Sequence, residues 1–141
     1  MGVTLLEVTK ALEAFAPLGL AEPWDRPGLQ AGDPEARVEA VVVALDPSAA
    51  AVARAAERGA QLVVTHHPLL LSPLSRLDCS EPVGKLLADC LRRGIALYAA
   101  HTNLDRADGG VNDALAGKLG LREVRPLCEG EDQVKLVVTV P

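Results

Sequence analysis

Apolar residues at Leu5, Val8, Leu12 and Phe15 recur at the three- and four-residue spacing of one helical face. Thr4 and Glu7 ahead of them have the reciprocal spacing of a capping box. The pattern predicts an amphipathic helix running to about Ala16, just before Pro17. Over residues 17–37 the periodicity disappears, and four prolines and three glycines surround Trp24-Asp25-Arg26-Pro27-Gly28-Leu29-Gln30. This stretch reads as a structured loop, long enough in a small domain to invite a functional explanation. Residues 38–45 form a nearly continuous β-branched and apolar run, expected as a strand covered on both faces. Asp46-Pro47 suits a helix N-cap with proline at the first helical position, and Gly59 ends that helix. Residues 61–65 predict a second strand, broken at His66-His67-Pro68. A polar, proline-containing loop then leads to a helix over 82–93 capped by Gly94. A third strand over 95–100 stops at His101, a helix over 109–119 ends at Gly120, and a fourth strand occupies 134–140.

Strand and helix alternate, so the expected fold class is α/β, with a mostly parallel sheet and helices on both faces. The 141 residues, 49% of them hydrophobic, have the length of a single domain spanning 1–141. The net charge is −5 and the basic residues are scattered, so no stripe could neutralise a run of phosphates and no nucleic-acid partner is expected. No run approaches the roughly 18 to 20 apolar residues of a membrane span, and the N-terminus lacks a basic stretch followed by an apolar block. The expectation is a cytoplasmic protein without membrane contact. Cys79, Cys90 and Cys128 show no CxxC spacing and read as reduced, mostly structural thiols.

In open parallel sheets, ligands bind beyond the carboxyl ends of the strands. Asp46 follows the first predicted strand, His66 and His67 the second, and His101 through Asp105 the third, so all three histidines of the chain fall on one rim. Each residue also has a plainer reading. Asp46 alone is most simply a helix cap, which leaves it a supporting candidate, and a lone histidine is usually a packed or surface residue. Adjacent residues at a strand end project to different sides, so His66 and His67 could hold two neighbouring ions. His101 and Asp105 are four apart and would share a face if the segment turned helically. A carboxylate beside imidazoles either ligates a metal or fixes a ligating tautomer. Joint occurrence on one rim favours a divalent metal site. Cys79 is a weaker candidate, because imidazole and carboxylate already make a coherent ligand set. Gly109-Gly110 reads as a tight helix entry rather than a phosphate loop.

Taken together, Trp24-Asp25-Arg26-Pro27-Gly28-Leu29-Gln30, Val64-Thr65-His66-His67-Pro68-Leu69 and His101-Thr102-Asn103-Leu104-Asp105, continuing to Gly110-Val111-Asn112-Asp113, resemble the signature blocks of the Nif-three-like family, whose members carry the label GTP cyclohydrolase 1 type 2. The resemblance covers nearly the whole chain in order. It implies a two-metal centre in the cleft of an α/β domain and assembly into a homo-oligomeric, hexameric ring. By motif match, His66, His67 and Asp105 correspond to metal ligands, with His101 at the edge of the centre. Trp24, Asn103 and Asp46 are then candidates for lining or supporting the cleft. A member normally adds a second half with a histidine and a bridging glutamate one helical turn apart. The chain ends at Pro141, where that half should begin, so a fragment or a reduced member is expected. Arg26 stands where the family commonly has asparagine.

The expected cofactor is a divalent ion, Zn2+ first and Fe, Mn or Mg as alternatives, with two per subunit if the full site is present. The leading functional expectation is a metal-dependent hydrolase acting through a metal-activated water on a small nucleotide-like substrate. The alternative is a non-catalytic metal carrier or assembly scaffold. In the hydrolase reading Asp46 or His101 is a candidate proton carrier, and no residue is otherwise assigned a catalytic role from the sequence.

Overall fold

The computed structural model describes residues 2–125. The expected strand over 134–140 and Cys128 lie outside the described residues. The capping box forms as expected: Glu7 N donates to Thr4 Oγ1 at 3.2 Å and Thr4 N donates to Glu7 Oε2 at 2.7 Å. It starts helix α1, Leu5–Phe15, immediately after the short strand β1, Val3–Thr4. Leu5 is fully buried, and Val8 and Leu12 are partly buried against the core, whereas Phe15 at the end of the same stripe is 53% exposed.

The segment 17–37 is more ordered than its composition suggests. A single 3-10 turn at Leu18–Leu20 is followed by strand β2, Gly28–Ala31, and then by β3, Arg37–Val38, which pairs antiparallel with β1. Strand β2 escaped the sequence reading because it is four residues long and flanked by proline and glycine. Gly28 enters it at φ +104°, a conformation that glycine adopts without penalty.

The run over 38–45 is not one strand: after β3 the chain resumes as β4, Val41–Ala44. Helix α2 is Ala49–Glu57, β5 is Leu62–Thr65, helix α3 is Pro82–Arg93 and β6 is Ala96–Ala99. The main sheet has the order β2-β6-β5-β4. Strands β4, β5 and β6 run parallel, and β2 is an antiparallel edge. Two short helices follow, α4 at Thr102–Arg106 and α5 at Val111–Lys118.

Alternation along the central strands divides the core between the two faces of the sheet. Val63 and Leu97 pack with Val52 and Ala55 of α2 and Leu87 and Cys90 of α3. Leu62, Ala96 and Tyr98 pack on the opposite face with Leu5 of α1. Burial pushes the Cys90 thiol up to about 11, with the Asp89 carboxylate adding to the shift, so this cysteine is a structural apolar residue. The expectation that the first strand is covered on both faces fails for β4. Val42 and Ala44 face the α2 side, but Val41 is 44% and Val43 78% exposed, because β4 is an edge strand and α1, on the face that these two share with Leu62 and Val64, packs mainly against β2 and β3. Among the described residues no helix is long and apolar enough to cross a membrane.

Helix α3 packs closely on the loop before it. A Cβ added at Gly84 would lie 2.0 Å from the carbonyl oxygen of Asp78, whereas one added at Gly117 in α5 meets nothing within 4 Å. In urea denaturation, Gly84→Ala should cost about 1–3 kcal/mol, as overpacking against backbone does. Gly117→Ala should be neutral or stabilising by up to about 1 kcal/mol.

Candidate metal centre

The parallel register places the exits of three strands level with one another. Ala44 pairs with Thr65, and Thr65 with Ala99, so β4, β5 and β6 end in one row. The row continues past the strands through backbone bonds from His66 N to Ala44 O, His67 N to Leu45 O and Ala100 N to Thr65 O. Asp46, His66, His67 and His101 follow these exits directly. Strand β2 runs the other way and begins opposite Ala99 at Gly28, so Trp24, Asp25 and Arg26 arrive on the same rim from the far side.

The chain bends after Thr65, and strand alternation no longer applies to the histidine pair. Instead of pointing to different sides, His66 and His67 lie with ring centroids 5.0 Å apart. Both approach His101, at 5.2 Å and 5.7 Å. One ligand-type nitrogen from each of the three rings lies within 4.8 Å of the others. Among the described residues this is the one such cluster of three or more metal-binding side chains, and Cys79 is not in it.

Each imidazole is tied through Nδ1. His66 Nδ1 is 3.0 Å from the carbonyl oxygen of Ala100, His67 Nδ1 is 2.7 Å from Asp46 Oδ1, and His101 Nδ1 is 2.9 Å from Asp25 Oδ1. A carbonyl or an ionised carboxylate only accepts, so in all three rings Nδ1 carries the proton, and in the neutral ring the lone pair is on Nε2. This is the arrangement in which outer partners orient metal-binding histidines and raise their basicity. A divalent ion of borderline softness fits the donor set: three imidazoles with Nε2 uncommitted and a carboxylate nearby.

Asp105 is the nearby carboxylate. Helix α4, with His101 as its N-cap, brings Asp105 round one turn, so that Oδ1 stands 3.8 Å from His66 Nε2. This is longer than a hydrogen bond, and Asp105 lies beside the imidazole cluster rather than within it. Asn112 Nδ2 donates to the backbone carbonyl of Asp105 at 2.8 Å, which holds the end of α4 against the start of α5. Gly110 permits that approach, since a Cβ there would meet Leu104 O at 1.9 Å.

The other candidates have different places. Asp46 does not cap α2. Ser48 does, accepting from Ala51 N at 3.2 Å, and the Asp46 carboxylate is occupied by His67. Asn103 is fully buried and does not line a cleft. Its Nδ2 donates to Ala16 O at the end of α1, and its Oδ1 accepts from His101 N, so it fixes the backbone from which His101 projects. Trp24 is 58% exposed with its ring 6.0 Å from that of His101.

Asp25, which the sequence does not single out, belongs to the same cluster of side chains. Its side chain is fully buried and accepts from four donors: His101 Nδ1, Arg26 N, Thr102 N and Thr102 Oγ1. Burial alone would push its carboxyl up. The hydrogen bonds, from His101 first and then Thr102 and the Arg26 amide, outweigh that and hold it below the ordinary carboxylate value. Its position after Trp24 in a proline-rich loop offered no periodic signal, and its partner His101 is 76 residues away.

The family model described as Duf34/NIF3 (NGG1p interacting factor 3) matches residues 3–141. The chain is 46% identical over 123 residues to a GTP cyclohydrolase 1 type 2 homolog of Streptomyces coelicolor, a match covering 87% of this chain and 43% of that protein. It is 39% identical over 137 residues to the Bacillus subtilis protein of the same name, covering 96% and 37%. Among solved structures, a Bacillus cereus protein related to NIF3 superposes with a TM-score of 0.85 at 38% identity, covering 92% of this chain and 36% of that one. Reduced HcgD from Methanocaldococcus jannaschii superposes at 0.81 with 36% identity, covering 92% and 52%. The chain therefore spans less than half the length of these two curated relatives.

Removing an outer partner should weaken zinc binding in proportion to its burial. In competition with a chelating dye, Asp25→Ala should lose about 10- to 100-fold in affinity. Asp46→Ala should lose less, because the Asp46 side chain is 64% exposed and water can replace it. The Asp25 carboxyl is held below its unfolded value, so its stabilising contribution is complete above about pH 4 and is lost as pH falls through the lowered value. Urea midpoints measured between pH 7 and 3 should therefore fall less steeply for Asp25→Ala than for the wild type.

Proposed function

The chain belongs to the Duf34/NIF3 family, and from that premise we propose that it is a divalent-metal-binding, metal-dependent hydrolase acting on a small nucleotide-like substrate. The observation that carries the reading is the commitment of Nδ1 in all three clustered imidazoles, which leaves Nε2 as the open nitrogen of each ring. His66, His67 and His101 would hold the ion, with Asp105 as the adjacent carboxylate. When bound, such an ion acts as a Lewis acid and lowers the pKa of a water toward neutrality.

The protein's own residues supply the rest. Asp25 and Asp46 keep the two rings they contact in the ligating tautomer, and the buried Asn103 holds the His101 backbone. The Asp105 carboxylate is 34% exposed, so it is open to solvent and is the group available to accept a proton beside the imidazoles. The name of the relatives, GTP cyclohydrolase 1 type 2 homolog, makes GTP the first substrate to assay. Assembly into a homo-oligomeric ring belongs to the same proposal and is measured by light scattering.

The rival reading, a metal carrier without chemistry, shares the site and differs in turnover. Purified protein should contain stoichiometric divalent metal, zinc foremost. Chelation should abolish hydrolysis, and added metal should restore it. His67→Ala should reduce turnover by more than about 100-fold, a larger effect than loss of an outer partner. Equal GTP turnover by wild type and His67→Ala would end the cyclohydrolase reading and leave metal binding standing.

A further inference from the structure

The only tryptophan of the chain sits on the rim of the metal centre, exposed over 58% of its surface and outside both core clusters. An exposed indole contributes little to folding, since most of its apolar area still faces water. Yet the backbone that carries it is firmly held. Asp25 N donates to Glu22 O at 2.9 Å, Glu22 N donates to Thr102 Oγ1 at 3.0 Å, and Arg26 Nη1 donates to Pro23 O at 3.1 Å. The Asp25 carboxylate ties the same turn to Thr102 and His101. A large aromatic surface on a pinned turn costs little further ordering when it binds, which is how aromatic anchors give affinity.

The ring stands next to the chemistry. Its centroid is 6.0 Å from that of His101, the two planes at 76°, and His101 in turn touches both other imidazoles. The Arg26 guanidinium, two residues on, is turned back onto the carbonyls of Pro23 and Asp25. A flat ring laid on the indole would therefore lie near His101, the imidazole that its ring approaches.

We propose that Trp24 is a stacking platform that fixes a planar heteroaromatic ring of the substrate beside His101, and so restricts the site to substrates that carry one. The electron-rich indole face prefers an electron-poor, flat partner such as a purine or pteridine and tolerates different edge substituents, because stacking reads the face and not the edge. The inference rests on the hydrolase reading for the location of the reacting bond, but stacking itself can be measured without turnover.

Because Trp24 is the only tryptophan, intrinsic fluorescence excited at the indole reports on this position alone. The zinc-loaded protein is titrated with GMP and with ribose 5-phosphate, which lacks the ring. GMP should quench the emission saturably. Ribose 5-phosphate should leave it unchanged and bind at least about 10-fold more weakly by calorimetry. Trp24→Leu should lose about 10-fold in GMP affinity with no change for ribose 5-phosphate, and Trp24→Phe should recover most of the loss. Equal affinity of the wild type for the two probes would overturn the proposal. So would emission that shifts with protein concentration and not with GMP, which would mark a contact between copies. Quenching by GMP without GTP turnover would remove the hydrolase reading and keep the platform. Turnover with an unchanged KM in Trp24→Leu would remove the platform and keep the hydrolase.

Discussion

The register of three parallel strands is the constraint on which the rest of this structure depends. Because Ala44, Thr65 and Ala99 lie side by side in the ladder, whatever follows them leaves the sheet at the same level. A slip of one residue would turn every side chain to the other face and displace the exits by about 3.3 Å. The core enforces the register from both sides. Val63 and Leu97 must face α2 and α3, while Leu62, Ala96 and Tyr98 must face α1. Packing that looks purely structural thus determines where three imidazoles emerge.

Polar groups then convert a shared level into a directed site. Three rings gathered on a surface could present either nitrogen, and would repel one another if protonated. Here Nδ1 is consumed in each case, by the Ala100 carbonyl, Asp46 and Asp25. The partners differ in strength for a physical reason. Asp25 is buried, and its four donors replace the water it has lost, so it is a rigid tether for His101. Asp46 is mostly exposed, and its hold on His67 competes with solvent. The His101 ring is thus firmly placed, and the His67 ring is able to adjust.

The antiparallel edge strand matters for the same reason. Strand β2 adds to the ladder beside β6, so the turn before it is delivered to the rim where the parallel strands end. Strand β2 thus fixes one end of the segment holding Trp24 and Asp25 relative to β6 and to His101 beyond it. The loop is ordered because its polar backbone groups are satisfied across a long sequence separation, through Thr102 above all.

The sequence alone determined much about this protein. Helical spacing in α1 and its Thr4–Glu7 cap, the apolar runs of β5 and β6, and the placement of His66, His67 and His101 directly after strands are local patterns. They depend on the two backbone periods and on the rule that sheet ligands gather at strand ends. The family resemblance likewise followed from contiguous motifs. What only the tertiary structure decided involves residues far apart in the chain. These include the addition of β2 at the sheet edge, the exposure of β4, and Asp46 turning from its own helix to His67. They also include Asn103 buried under His101 and Asp25 clamping a ring 76 positions away. A hydrogen bond between distant segments has no period and no spacing. It exists only once packing has brought its two ends within about 3 Å, and for that reason the partner of each tether could not be read from the chain, although Asp46 and Asn103 stand out in it as candidates for supporting the cleft.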